Sequence, residues 1–283
     1  MEEKFKKIAD YISPLIFIDL IFELRKNMTR MAIYYVISAI FLFTVFFMQT
    51  NYHKSVRENF FNALIIISCA TSTLIGGAYA TGSIVKEKEK KTLTLLRMSG
   101  ATGFEIIYGK IISAMIYITM LTSPYLFFAF ILTFTNDMDV LKLGGGLFMW
   151  TGFTAFYLSS GILISILFKK NASANSFFYF FLFAIHFLTY SVDDIFGLRH
   201  YYGYYTYNAK FFSSFSPIEV WYNFSITHRS QSSSPYYSVN ETVNIIDGIA
   251  DYAVITVIYI FISILLTIFA SNIFEKYLRW REE

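Results

Sequence analysis

The chain has 283 residues, of which 55% are hydrophobic and only 15% are charged, and its mean hydropathy is +0.50. A soluble domain of this size keeps about a quarter of its residues charged. The composition therefore excludes an ordinary water-soluble enzyme and indicates a membrane protein. The formal net charge of +3 says little by itself, and we expect no nucleic-acid partner.

Six runs of roughly 20 apolar residues follow one another along the chain, and each is long enough to cross a hydrocarbon core as a helix. They cover 31–49, 61–83, 111–134, 144–168, 174–192 and 251–273. A β-barrel would instead show alternating segments of about 10 residues. The sequence predicts an all-α polytopic membrane protein with six spans in a single transmembrane domain, 1–283.

Lys and Arg residues lie mostly on one side of these predicted spans. Of the 23, 17 fall before the first span, between the second and third, between the fourth and fifth, or after the sixth. The positive-inside rule then places both termini in the cytoplasm. The bias towards Phe, Ile, Tyr, Lys and Asn is typical of an AT-rich bacterial genome, so we expect a multi-pass protein of the bacterial inner membrane.

Residues 12–30 precede the first span and are predicted to form an amphipathic helix in the plane of the membrane. Their polar side chains recur at steps of 4, 3 and 4 on one helical face, at Asp19, Glu23, Lys26 and Arg30. Arg25 and Lys26 would then lie near anionic lipid headgroups. The alternative is an ordinary start of a long helix that runs into the first span.

The second predicted span is rich in small residues, which let membrane helices approach one another closely. These are Ser72, Gly76, Gly77 and Ala80. The lone cysteine, Cys69, is interpreted as a small packing residue. In the third span we expect a kink at Pro124, tolerated because neighbouring helices satisfy the freed carbonyl.

Residues 84–110 form the largest predicted cytoplasmic loop. We expect the second span to continue as helix through Lys86–Lys91 and Thr92–Met98, to break at 99–103, and to resume from Phe104. Apolar side chains in this charged segment favour a docking helix for a soluble partner; they are Leu93, Leu95, Leu96, Phe104, Ile106 and Ile107. The alternative is a hairpin that packs only on the chain's own spans.

Residues 193–250 are predicted to be extracytoplasmic and are rich in tyrosine, which suits the membrane–water boundary. The order Ser216, Pro217 and then Glu219 is typical of a helix start. We therefore expect at least one short helix before the sixth span.

The predicted spans have no evident energy source of their own. No span holds Lys, Arg, Asp or Glu in its middle, and the chain has no Walker-type phosphate loop and no Cys/His ligand cluster. His186 is interpreted as a side chain that is hydrogen-bonded to a neighbouring helix, with a proton site as the alternative. Asp193 and Asp194 are interpreted as a solvated helix end, with cation binding as the alternative. We expect no catalytic site, metal or cofactor on this chain.

The charged segment resembles the signature loop of ABC-2 type transporter permeases, which reads roughly E-x-E-x-G-T-L-x-x-L, a short turn, and E-I-x-x-G-K. The matching parts of this chain are Glu87–Leu96 and Glu105–Lys110. Lys91 stands where the family usually has glycine, which leaves the local backbone bend open. The six predicted spans and the in-plane helix also resemble the layout of the family.

This resemblance implies a type V-like permease subunit that pairs with a second copy or a paralogue. A separate cytoplasmic ABC ATPase would hold the ATP and Mg, and its closure would move the spans, with the second and fifth lining any path. The resemblance assigns coupling and ATPase docking to Glu87, Glu89, Thr92, Leu93, Leu96, Gly109, Lys110, Arg25 and Lys26. Export is the expected direction.

Two other classes of protein remain as alternatives. One is a secondary carrier or channel, which the uncharged spans disfavour and which would transport without ATP. The other is a membrane scaffold, or a mechanotransmission component that passes work to a partner without moving a substrate. Retention of an ATPase by the chain separates the permease from the carrier.

Overall fold

The computed structural model describes residues 34–35, 37–39, 41–42, 54–93, 102–135, 140–188, 191–192 and 245–279. In chain order, the elements are α1 (Lys54–Thr71), a π-helical turn (Ser72–Gly76), α2 (Gly77–Glu89), α3 (Gly103–Thr135), α4 (Val140–Leu167), α5 (Asn171–Phe183), a second π-helical turn (Ala184–Leu188) and α6 (Ile245–Arg279). These residues are helical or form turns, without a strand among them. The predicted all-α class is confirmed over this part of the chain.

Four of the described helical segments have the length and apolar composition to cross a membrane. They are Glu58–Glu89, Gly103–Phe134, Val140–Leu167 and Tyr252–Lys276, and they correspond to the second, third, fourth and sixth predicted spans. The fifth predicted span is helical over 171–188 but is not among these four. Of the first, the described residues are helical. Six spans therefore stay a prediction.

Several helices extend beyond the apolar runs that predict them. α2 continues to Glu89 and α3 begins at Gly103, so the connection between them shortens from the predicted 84–110 to 90–102. Hydropathy marks the part of a helix that suits hydrocarbon, whereas charged residues can continue the same helix into water. The predicted in-plane helix at 12–30 and the predicted helix at Pro217 lie outside the described residues.

Small residues bring α2 close to α4 and α5, as the sequence predicts for the second span. A Cβ added at Gly161 of α4 would lie 2.8 Å from the Gly77 carbonyl oxygen and 2.9 Å from the Ala80 Cβ. A Cβ added at Gly77 would lie 1.8 Å from the ring of Phe178 on α5. Glycine at both positions is therefore required by close helix contact.

One face of α6 carries large apolar side chains that are exposed in the chain. Their spacing of three or four residues places them on a single helical stripe, formed by Val254, Val257, Phe261, Ile264, Leu265 and Ile268. An exposed stripe of this kind suits contact with lipid rather than water. Elsewhere in the bundle, the Tyr34 hydroxyl donates to the Tyr125 hydroxyl of α3 at 3.0 Å.

Candidate coupling site at the charged end

The charged end of the bundle comprises the last turn of α2, the connection at 90–102 and the start of α3. Here α2 ends in a Schellman motif. The Thr92 N–H donates to the Glu87 carbonyl oxygen at 3.0 Å, and the Lys91 N–H donates to the Lys88 carbonyl oxygen at 3.2 Å. This bonding pattern satisfies the last carbonyls of a helix and places the first of the two donor residues, here Lys91, in the left-handed region. The expected helical continuation through Thr92 is therefore wrong: the chain turns at 90–92 before Leu93 becomes helical again.

Lys91 adopts the backbone conformation that glycine favours. Its φ is 57°, the one positive value at a non-glycine residue in the described part of the chain. An L-residue with a Cβ costs about 1–2 kcal/mol in this region, a cost that glycine avoids. The sequence leaves open whether the backbone bends at a position where lysine replaces glycine. The structure shows the bend with lysine in place.

Glu87 and Lys110 form an ion pair between α2 and α3. The Lys110 ammonium donates to Glu87 Oε1 at 2.7 Å, and the two side chains are 19% and 4% exposed for Glu87 and Lys110. Glu87 Oε2 is buried and has no hydrogen-bond partner among the residues that the structure describes. Two residues to which the resemblance assigns docking thus contact each other and join the two helices that flank the connection at 90–102.

Lys88 binds the carboxyl end of α4. Its ammonium donates to the carbonyl oxygens of Ser165 and Phe168, both at 3.1 Å, and to that of Ile166. The last carbonyls of a helix have no partner within the helix, and they carry the negative end of its dipole. A half-buried lysine with its ammonium on these oxygens therefore stabilises the end of α4.

Glu89 binds the amino end of α5. Its Oε1 accepts a hydrogen bond from the Asn171 N–H at 2.8 Å. The residue at the cap position, Lys170, is extended (φ −120°, ψ 133°) and makes no side-chain cap hydrogen bond. Since lysine has no acceptor atom, the carboxylate that caps α5 comes from another helix.

Three of the six apolar side chains that predict a docking surface are buried within the chain. Leu93 is 4% exposed, and Ile106 and Ile107 are also buried, in a cluster at the charged end that includes Phe274 of α6. Phe104 is exposed and stacks on exposed Tyr108, with ring centroids 5.7 Å apart. The outward apolar surface that the structure describes here is this aromatic pair.

The remaining predicted site residues divide into described and undescribed ones. Thr92 is half-buried and Gly109 is buried. Leu96, Arg25 and Lys26 lie outside the described residues.

The start of α3 carries a capping box that sequence inspection missed: the Glu105 N–H donates to Thr102 Oγ1 at 3.3 Å, and the Thr102 N–H donates to Glu105 Oε2 at 2.8 Å. The pattern T-x-x-E is its sequence signal.

A concave region lies further along the bundle, between the two π-helical turns. It is a largely apolar cavity of about 320 Å³, lined by residues that include Thr73, Leu74, Tyr179, Leu182, Phe183 and His186. His186 Nδ1 lies 2.8 Å from the Leu182 carbonyl oxygen on its own helix. The expectation of a bond to a neighbouring helix is therefore not met by this contact. Among the described residues, no group of three His, Cys, Asp or Glu side chains is placed to hold a metal.

Comparisons with protein-family models and with curated proteins gave no match for this chain. The function is therefore inferred from the residues of the charged end and from the loop resemblance.

Proposed function

We propose that this chain is the membrane-spanning permease subunit of an ABC transporter. A separate cytoplasmic ATPase, with its ATP and Mg, supplies the energy, and the direction is export. Two permease chains, identical or paralogous, form the membrane part of the complex in a bacterial inner membrane, each with six spans and cytoplasmic termini. The chain itself catalyses no reaction.

The observation that carries this proposal is the backbone of Lys91. The permease pattern has glycine at this position, and the chain has lysine, yet φ is 57° there. A chance match of residue types along a charged loop gives no reason for a glycine-like bend at the same position. The bend lies between an apolar helix and α3, at an end of the bundle that is rich in Lys and Glu.

The exposed residues next to the bend fit a docking role better than the buried ones. Glu89, Lys90 and Lys91 are exposed at the end of α2, and Leu96 follows in the same connection. Glu87, Leu93 and Lys110 hold the helices that present this connection. We therefore assign ATPase contact to the connection at 90–102, and support of that connection to Glu89 and to the buried residues.

The test is purification of the tagged full chain from its native cells in a mild detergent, with identification of bound proteins and an ATPase assay. Leu93→Asp is unsuitable because it would place a carboxylate in the core. The informative variant is Leu96→Asp, and the matched control is Leu141→Asp, an exposed leucine (71%) at the start of α4.

The proposal predicts a stoichiometric ATPase on the wild type and on Leu141→Asp, and a loss of at least tenfold on Leu96→Asp. Insertion in the membrane should be equal for all three proteins. A wild-type chain that purifies alone, without ATPase activity, would favour the carrier or scaffold. Retention of the ATPase by Leu96→Asp would move the docking surface elsewhere.

A further inference from the structure

Lys88 and Glu89 bind the two helix ends on either side of one short connection. α4 ends at Leu167 and α5 begins at Asn171, so only residues 168–170 separate the ends. We propose that these two side chains are positioning residues that make α5 move with the end of α2 when the ATPase displaces it. This inference rests on the proposed function.

The signs of the two charges match the two helix ends. Lys88 places a cation at the carboxyl end of α4, and Glu89 places an anion at the amino end of α5, which are the stabilising arrangements for helix dipoles. Three N–H groups of one ammonium meet three carbonyl oxygens. The connection at 168–170 is therefore held on both sides, and we call these bonds the helix-end contacts.

α5 is joined to α2 at two deeper levels as well. The Thr81 hydroxyl donates to Asn175 Oδ1, and the ring of Phe178 lies over Gly77, where no Cβ fits. Between α2 and α4, the N–H groups of Ile84 and Val85 both lie 3.0 Å from Ser165 Oγ. Hydrogen bonds and close packing therefore connect α2 to both α4 and α5 at several levels along α2.

α5 in turn leads to the cavity between the π-helical turns. Tyr179, Leu182 and Phe183 belong to α5, and His186 belongs to the turn that continues it; all four line that cavity. The opposite wall carries Thr73 and Leu74, which precede α2 in the same continuous helix. The helix-end contacts therefore connect the proposed docking connection to one wall of the cavity.

The first measurement uses the purified chain alone and amide hydrogen exchange. Glu89→Ala removes the acceptor at the Asn171 N–H, and we expect exchange in 171–174 to rise about fivefold, the effect of losing a helix cap. Glu89→Gln keeps a carbonyl oxygen at the same position and should restore most of the protection. Lys90→Met, an exposed neighbour, is the control and should leave exchange in 171–174 unchanged.

The second measurement uses the complex of the chain with its ATPase, trapped with ATP and orthovanadate. In the wild type, trapping should change exchange both in 90–102 and in α5. In Lys88→Met/Glu89→Ala, the change in 90–102 should persist while the change in α5 falls at least threefold. A purely stabilising role would raise basal exchange in α5 without altering the change on trapping.

Two results would overturn the inference. One is a change in α5 on trapping that is the same size in the double variant as in the wild type. The other is a wild-type α5 that does not respond to trapping. If no ATPase is retained, both the proposed function and the positioning role fail. Hydrogen exchange in the chain alone still tests whether the helix-end contacts exist.

Discussion

Charges join the helices at the charged end of the bundle, whereas hydroxyls join them in its middle. At the charged end, an ammonium and two carboxylates connect α2 to α3, α4 and α5. In the middle, Ser159 Oγ of α4 lies 2.8 Å from Ser263 Oγ and 3.2 Å from Thr267 Oγ1 of α6. The bond lengths in the two regions are thus similar, but the bonded groups are charged in one and neutral in the other.

The difference follows from what happens when a partner is lost. A hydroxyl without its partner in hydrocarbon can turn back to a carbonyl of its own helix, so the loss is small. A buried carboxylate without its cation keeps its charge and its desolvation cost. Interhelical bonds between charged groups are therefore found at the end of the bundle, near water. Loss of one partner should cost more there than in the middle.

The largest effect should come from Lys110→Met, which leaves the Glu87 carboxylate without its cation. Breaking a buried ion pair costs about 3–5 kcal/mol. Because Glu87 keeps 19% of its side chain exposed, we expect the lower end, about 3 kcal/mol. The free energy of unfolding, measured by denaturant titration in mixed micelles, checks this value.

The double variant Lys110→Met/Glu87→Gln tests whether the cost is that of an unpaired charge. Replacing both members of a buried pair is often close to neutral, so the double variant should recover more than half of the loss. A double variant as unstable as Lys110→Met would mean that packing of the lysine stem, not the charge, joins α2 to α3.

The Glu87–Lys110 pair also marks the limit of what the sequence predicts. The motif includes both residues, but a spacing of 23 residues does not reveal that they bind each other. The small residues at Gly77 and Ala80 predict close packing because their size alone permits it. The bond from Glu89 to the Asn171 N–H has no sequence signal, since its donor is a backbone atom of a distant helix. Nor does a residue pattern indicate the two π-helical turns.

The next effect should come from Gly161→Ala in the middle of α4. Its Cβ would meet the Gly77 carbonyl oxygen at 2.8 Å, a backbone atom that moves only with its helix. We expect a loss of about 1–3 kcal/mol in unfolding free energy, as for other overpacked sites. Gly144→Ala in the same helix is the control: its Cβ meets nothing within 4 Å, so it should be neutral or stabilising by up to about 1 kcal/mol. Equal changes in unfolding free energy for the two variants would exclude close helix contact as the cause of the loss in Gly161→Ala.

A smaller effect is expected from Ser159→Ala, which removes the hydroxyl between α4 and α6. Interhelical hydrogen bonds in membrane proteins contribute about 0.6 kcal/mol on average, and the Ser263 hydroxyl still donates to the Ala155 carbonyl oxygen at 3.0 Å. Ser160→Ala is the matched control because its hydroxyl donates only to Tyr157 of its own helix among the bonds described. A loss above about 2 kcal/mol on Ser159→Ala alone would make the middle as sensitive as the charged end.

The smallest effect should be a gain, from Lys91→Gly at the bend. Glycine relieves about 1–2 kcal/mol of left-handed backbone cost, while the loss of a cation at the carboxyl end of α2 and the greater freedom of unfolded glycine offset part of it. We expect a net stabilisation of about 0.5 kcal/mol with full retention of the ATPase. Lys90→Gly, where φ is −78°, should instead destabilise by about 0.5–1 kcal/mol. Opposite signs at adjacent lysines would establish that the bend, rather than the charge of this segment, sets its stability; loss of the ATPase on Lys91→Gly would show that the lysine itself contributes to docking.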